Sequence, residues 1–182
     1  MPAPNRRGYT LIELVVTVMI IGILTSIAVP QYLRTVEAGK ADDAVATVNM
    51  IGTTNKMFSL DHNVAGVATY IAGPFPIAAG ASCGAGVCPA AGPFAANGCI
   101  LVWCKYLADQ DWGDKPYSYF ACGGPAGGGG GACGANLSGA TQRGGTATPP
   151  ASAPYNTPWA YTVGTTGVIV SVAGSGAPPP TF

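Results

Sequence analysis

Three sets of side chains in this sequence have the types and spacing to do chemistry. They are a lone acid, Glu13, beside an apolar run; six cysteines, Cys83, Cys88, Cys99, Cys104, Cys122 and Cys133; and three close aspartates, Asp109, Asp111 and Asp114. Glu13 is the most informative. Leu14 to Val29 holds no ionisable side chain, and a carboxylate beside hydrocarbon costs about 2.5–3.5 kcal/mol on insertion scales unless something neutralises it. A cut after Gly8 would create an ammonium at Tyr9, one helical turn earlier, with a reference pKa of about 8 that keeps it mostly charged at neutral pH. Glu13 can pair with that group in its own chain or in a neighbour. A first-turn acid also suits the positive end of the helix dipole, which requires no partner chain.

The element that must carry Glu13 is a helix. At about 1.5 Å per residue, Tyr9 to Gln31 nearly crosses a hydrocarbon layer of about 30 Å. Arg6 and Arg7 lie at its head, where a cytoplasmic end is expected to be basic. A secretory signal would be cut beyond the apolar run, behind small residues, and Thr25 to Pro30 offers a poor version of such a site. Cleavage on the near side, after Gly8, fits better. Pro30 removes the donor for the Ser26 carbonyl and strains the preceding turn, so a bend or a locally opened turn is expected there. Gly22 adds backbone freedom at a cost of about 1 kcal/mol.

Beyond Pro30 the pattern turns amphipathic. Leu33, Val36, Ala41, Ala44, Val48, Ile51 and Phe58 recur near helical spacing, while Arg34, Glu37, Lys40, Asp42, Asp43 and Lys56 place charge mostly elsewhere around the axis. One face should cover a sheet. The helix is expected to end between Gly52 and Asp61, which gives a rod of about 75 Å, longer than one small domain requires.

The run Gly8-Tyr9-Thr10-Leu11-Ile12-Glu13-Leu14, with the apolar stretch ending at Pro30, resembles the type IV pilins and the type II secretion pseudopilins. The family pattern has Phe after the cleaved Gly; Tyr9 keeps an aromatic ring there. The resemblance implies that a prepilin peptidase of the bacterial inner membrane removes Met1–Gly8 and N-methylates Tyr9. It also implies that Glu13 pairs with the terminal amine of an adjacent subunit during assembly, and that Gly22 to Pro30 can unwind as subunits pack. Asp111-Trp112-Gly113-Asp114-Lys115-Pro116-Tyr117-Ser118-Tyr119 loosely resembles a W-G-x-x-Y-x-Y signature of major pseudopilins. It departs from that pattern in having Asp114-Lys115 where the family has one residue before Pro.

Residues 62–182 suffice for one compact domain. Strands are expected at Cys99–Cys104, Pro116–Ala121, Trp159–Val163 and Val168–Val172, the last two forming a hairpin over Gly164–Gly167. Gly123–Gly134 and Thr146–Pro158 read as turn-rich or irregular, and Gly176–Phe182 as an extended tail. The cysteines fall in the part expected outside the cell, where disulfides are favoured, and six allow fifteen pairings. Zinc competes for them, since Cys-x4-Cys occurs twice. A strand over Cys99–Cys104, however, would hold its ends about 16 Å apart on opposite faces, unsuited to one ion or to a mutual bridge. Cys122–Cys133 is the most plausible local pair.

Asp109, Asp111 and Asp114 can offer oxygens to calcium, but no twelve-residue loop with a distal Glu surrounds them, and a solvated acidic turn is the simpler reading. Gly127–Gly131 lacks the Lys-Ser/Thr of a phosphate cradle. Asn136-Leu137-Ser138 meets the short glycosylation pattern. His62 has no nucleophile motif beside it, so enzyme activity has no positive support and no cofactor is expected. With 8 Lys and Arg against 8 Asp and Glu, the chain is a poor phosphate-backbone binder, and nucleic acid is not an expected partner.

These observations lead to an α+β fold, with a long N-terminal helix packed on an antiparallel sheet. Its parts are a leader over 1–8, an apolar membrane and filament-core helix over 9–30, an amphipathic helix half over 31–60 and a disulfide-rich β domain over 61–182. The resemblance implies a type IV pilus subunit, held in the inner membrane as a prepilin and then displayed on the cell surface. Its implied partners are identical subunits, the prepilin peptidase and a pilus or secretion assembly platform. The alternatives are a major pseudopilin and, less favoured, a DNA-uptake minor pilin with a cationic patch.

Overall fold

The computed structural model describes residues 8–63, 68–90, 92–94, 96–126, 133–143 and 159–172. The chain divides into two compact units, one ending at Val36 and one beginning at Glu37. A single helix, α1 (Leu11–Asp61), contributes to both. It ends at Asp61, inside the expected window, but it runs through Pro30 without interruption, which corrects the expectation of a bend or a locally opened turn there. The cost of one missing donor is local, whereas the flanking turns on both sides keep their bonds.

In the unit from Glu37 onwards, the helix lies against a five-stranded antiparallel sheet, the α+β arrangement expected. The strands are β1 (Gly73–Pro74), β2 (Tyr117–Ala121), β3 (Ser138–Gln142), β4 (Ala160–Val163) and β5 (Ile169–Val172), paired in chain order. The β4–β5 hairpin has the expected place, with Val163 opposite Ile169. Period-2 alternation explains β2, whose Tyr117, Tyr119 and Ala121 are buried while Ser118 and Phe120 are half-buried. β3, with the sequence Ser-Gly-Ala-Thr-Gln, has no apolar run, and β1 is two residues long. Neither was expected. Both are defined by their neighbours, β3 by pairing along its full length with β2 and β1 by Gly73 opposite Ala121.

The stretch Cys99–Cys104 corrects the expectation of a strand. Ile100–Trp103 is one helical turn, α2, in which the amides of Val102 and Trp103 donate to the Cys99 carbonyl. Ile100, Leu101 and Val102 are all buried, so a short apolar run carried no periodicity that separates a strand from a helical turn.

The core joins α1 to the sheet and to the loops ahead of β2. Ala41, Ala44, Val48, Ile51 and Phe58 are fully buried, as their spacing indicated. Close contact between helix and sheet depends on Gly52, where a Cβ would lie 2.9 Å from the Ser138 hydroxyl oxygen and 3.3 Å from Val163 Cγ1. The Ser138 hydroxyl in turn donates to the Val48 carbonyl at 2.6 Å. Glu37 departs from the charged face assigned to it: it is 1% exposed, pairs with Lys40 at 2.8 Å and accepts from the Gln142 amide at 3.4 Å.

Asn55 is the principal polar fastener. It is fully buried, and its amide nitrogen donates to the carbonyls of Ile71, Cys122 and Leu137 at 3.0, 2.9 and 3.0 Å. Its carbonyl oxygen accepts from the Ile71 amide at 2.9 Å. One side chain thus bonds backbone groups in three segments, although the Leu137 carbonyl also accepts from the Cys122 amide.

Candidate functional site

The first candidate site is the head of α1. Thr10 is positioned just ahead of the helix, and its amide and hydroxyl donate to Glu13 Oε2 at 2.8 and 2.9 Å. The Glu13 amide approaches Thr10 Oγ1 at 3.4 Å. This is a reciprocal capping box, in which Thr-x-x-Glu satisfies amides that the first turn leaves open. Thr10 is the partner that sequence reasoning missed, and the Thr-x-x-Glu spacing is the signal that finds it. Glu13 therefore sits where the helix dipole favours an anion, and among the described residues no hydrogen-bond donor is recorded on its second oxygen, Oε1. Gly8 has nothing near it and Tyr9 is 90% exposed, so the peptide between them is accessible.

From Leu11 to Val29 every side chain is exposed, with Leu11 at 83% and Met19 at 67%. The helix is long and apolar enough to cross a membrane. Its few hydroxyls are turned inward: Thr17 donates to the Leu14 carbonyl at 2.9 Å, Ser26 to Ile23 at 2.7 Å, and Thr25 to Ile21. Polar groups satisfied within their own helix leave an apolar surface on all sides, as hydrocarbon requires. Gly22 lies in the middle of that surface with open space where a Cβ would be, and Pro30 lies at its end.

The six cysteines form three bridges. Cys83 joins Cys99 and Cys88 joins Cys104, with Cα separations of 5.3 and 4.7 Å, so two parallel links bind an extended loop to α2. Cys122 joins Cys133 at 5.3 Å. Of the glycine-rich loop that this bridge closes, residues 127–132 lie outside the described ones, as do 144–158 and 173–182.

The aspartates serve the backbone. Asp109 accepts from the amides of Cys83, Gly84 and Gln110, each at 3.0 Å, and from the Trp112 indole at 3.3 Å. Burial raises its carboxyl, but these hydrogen bonds outweigh it and hold the group below the ordinary aspartate range. Asp114 accepts from Gly80 at 2.9 Å, and Asp111 from the Asp114 amide. Among the described residues no three His, Cys, Asp or Glu side chains are grouped to hold a metal ion. Asn136 is half-buried, and its amide donates to the Cys133 carbonyl.

The Trp112–Tyr119 stretch builds the far side of the core. Trp112 is buried, stacked on Phe75 at 4.2 Å and edge-on to Tyr119 at 5.9 Å. Gly113 lies so close to the preceding loop that a Cβ would fall 1.7 Å from the Ala78 carbonyl oxygen. Arg143 anchors this turn by donating to the carbonyls of Trp112, Gly113 and Ile77 and to the Ser118 hydroxyl. Arg143 is the only Lys or Arg after Lys115, and nothing in its sequence neighbourhood signals that use.

Residues 3–29 match the model of the prokaryotic N-terminal methylation motif. A stretch of 55 residues is 40% identical to a type IV major pilin protein, PilA, of Myxococcus xanthus, covering 30% of this chain and 25% of that protein. A stretch of 59 residues is 33% identical to the type II secretion system core protein G of Pectobacterium carotovorum, covering 32% of this chain and 38% of the other. The chain thus spans well under half the length of these curated relatives. No solved structure gives a significant match. Over its methylation motif and apolar helix, the chain is similar to the type IV pilins and type II secretion pseudopilins.

Proposed function

We propose that this protein is the structural subunit of a type IV pilus, cut after Gly8, methylated at Tyr9 and polymerised through α1. One observation carries the reading: an apolar surface from Leu11 to Val29 is exposed around the whole helix. Such a surface is stable in a bilayer or against copies of itself. Assembly then exchanges lipid contacts for protein contacts. Oε1 of Glu13 accepts the new amine of a neighbouring Tyr9, which sets the stagger between helices.

A major pseudopilin shares the helix and the motif, and the core protein G match and the buried Trp112–Tyr119 stretch favour it. The three disulfides suit a pilus, whose subunits remain outside the cell once displayed. Electron microscopy of sheared surface appendages, with N-terminal sequencing of their subunit, tests the proposal. Fibres whose subunit begins at methylated Tyr9 are expected. A subunit beginning at Met1, or filaments formed only when secretion genes are overexpressed, would overturn it.

A further inference from the structure

The two edges of the sheet are finished differently. At β1 the edge is closed: Pro74 has no amide to offer, its carbonyl accepts from the Gly98 amide at 3.1 Å, and a Cβ on Gly73 would lie 2.3 Å from the Asn97 nitrogen. β5 has no such cover among the described residues. Trp159–Val172 contains no charged side chain and no proline, the usual guards of an edge.

The register fixes what this edge offers. The Gly164 amide donates to the Val168 carbonyl at 3.0 Å, so that pair is a bonded one, and alternation makes Thr162–Val170 the next. Ile169 and Ser171 therefore point their amides and carbonyls away from β4. The Ile169 side chain packs on the core, while Val168 and Val170, on the opposite face, are 59% and 51% exposed.

We infer that β5 pairs antiparallel with β5 of a second copy, extending the sheet across a two-fold axis at Val170. Ile169 of each copy then exchanges both backbone bonds with Ser171 of the other, and Val170 meets its own counterpart at the narrow, non-bonded position. The strand selects its own kind. Ile169 and Ser171 are spaced symmetrically about Val170, the β-branched valines suit a cross-strand contact, and no charge opposes itself across the axis. A neighbour's β1 does not compete, because that edge is closed. An axis normal to the sheet reverses α1 in the second copy. In fibres whose subunits run one way, the contact then joins two fibres instead of successive subunits; this consequence alone rests on the pilus reading.

The test is disulfide trapping on the full-length chain in dodecylmaltoside micelles under a mild oxidant, read by non-reducing electrophoresis. Val170→Cys places a thiol on the axis, where opposed Cα atoms about 4.5 Å apart are within bridging range. Val168→Cys, at an equally exposed position, faces position 172 instead and serves as the control. A covalent dimer from Val170→Cys and its loss in Val168→Cys are expected. Amide exchange over 168–172 should slow as the parent concentration rises, and Val170→Lys, which sets like charges opposite each other, should abolish that dependence. Monomer from Val170→Cys, equal dimer from Val168→Cys, or protection independent of concentration, as residues of the same chain on that edge would give, would each overturn the pairing.

Discussion

Asn55 concentrates more structural consequence than any other polar side chain, because four backbone groups in three segments depend on it. Replacing it by Ala leaves the Ile71, Cys122 and Leu137 carbonyls and the Ile71 amide buried without that partner. A loss of about 2–4 kcal/mol is expected, more than a single average hydrogen bond, because the groups at Ile71 and Cys122 keep their desolvation penalty while the Leu137 carbonyl retains the Cys122 amide. Thermal unfolding of the full chain, followed by near-ultraviolet circular dichroism of the buried Trp112 and Trp159, measures it. A variant within 0.5 kcal/mol of the parent, roughly the range of a surface substitution, would show that water replaces Asn55 at little cost.

Among the elements, the central strands carry three buried phenols: Tyr117 and Tyr119 on β2 and Tyr161 on β4. Burial raises all three, and it places Tyr161 at about 12. A phenol raised in the folded state contributes stability that is whole below its unfolded value of about 10 and is lost as pH climbs through the folded one. Unfolding is therefore expected between about pH 10 and 12, with tyrosinate absorbance and loss of sheet dichroism appearing together. Tyr161→Phe should shift that midpoint upward. Tyrosinate absorbance from these three rings well before the sheet signal falls would contradict it.

The Cys122–Cys133 bridge acts at the same scale, closing a segment of separation 11 beside the Asn55 contact on the Cys122 carbonyl. Converting both cysteines to Ala should cost about 2–4 kcal/mol through the freer unfolded chain, read as a lowered denaturation midpoint. If the midpoint stays unchanged, the native loop contacts alone hold the segment.

For the whole molecule, the decisive feature of the proposed pilus subunit is that stability and assembly use different parts of one helix. From Glu37 onwards one face of α1 is buried in its own domain, while Leu11 to Val29 remains exposed. Glu13→Ala removes a charge from the apolar part, so insertion into membranes should be preserved or improved. Fibres should be absent, since the amine of a neighbour no longer finds its acceptor. Membrane fractionation and electron microscopy read the two outcomes separately. Normal fibres from this variant would remove Glu13 from the assembly mechanism and reduce it to a helix cap.

The sequence by itself determined the parts governed by local chemistry. Uninterrupted apolarity after Glu13, the Thr-x-x-Glu spacing, the spacing of Ala41, Ala44, Val48, Ile51 and Phe58, and the alternation in β2 act within a few turns or residues of chain. They can be read from neighbours alone. Only the tertiary structure decided which cysteines join, that Cys99–Cys104 turns as a helix, that Ser138–Gln142 is a strand, and that Glu37 and Asn55 are buried. Each of these rests on partners elsewhere in the chain, such as the Cys122 carbonyl, 67 positions from Asn55. Such a contact is favourable because the distant group would otherwise be buried unpaired, and that need is visible only once both segments have been brought together.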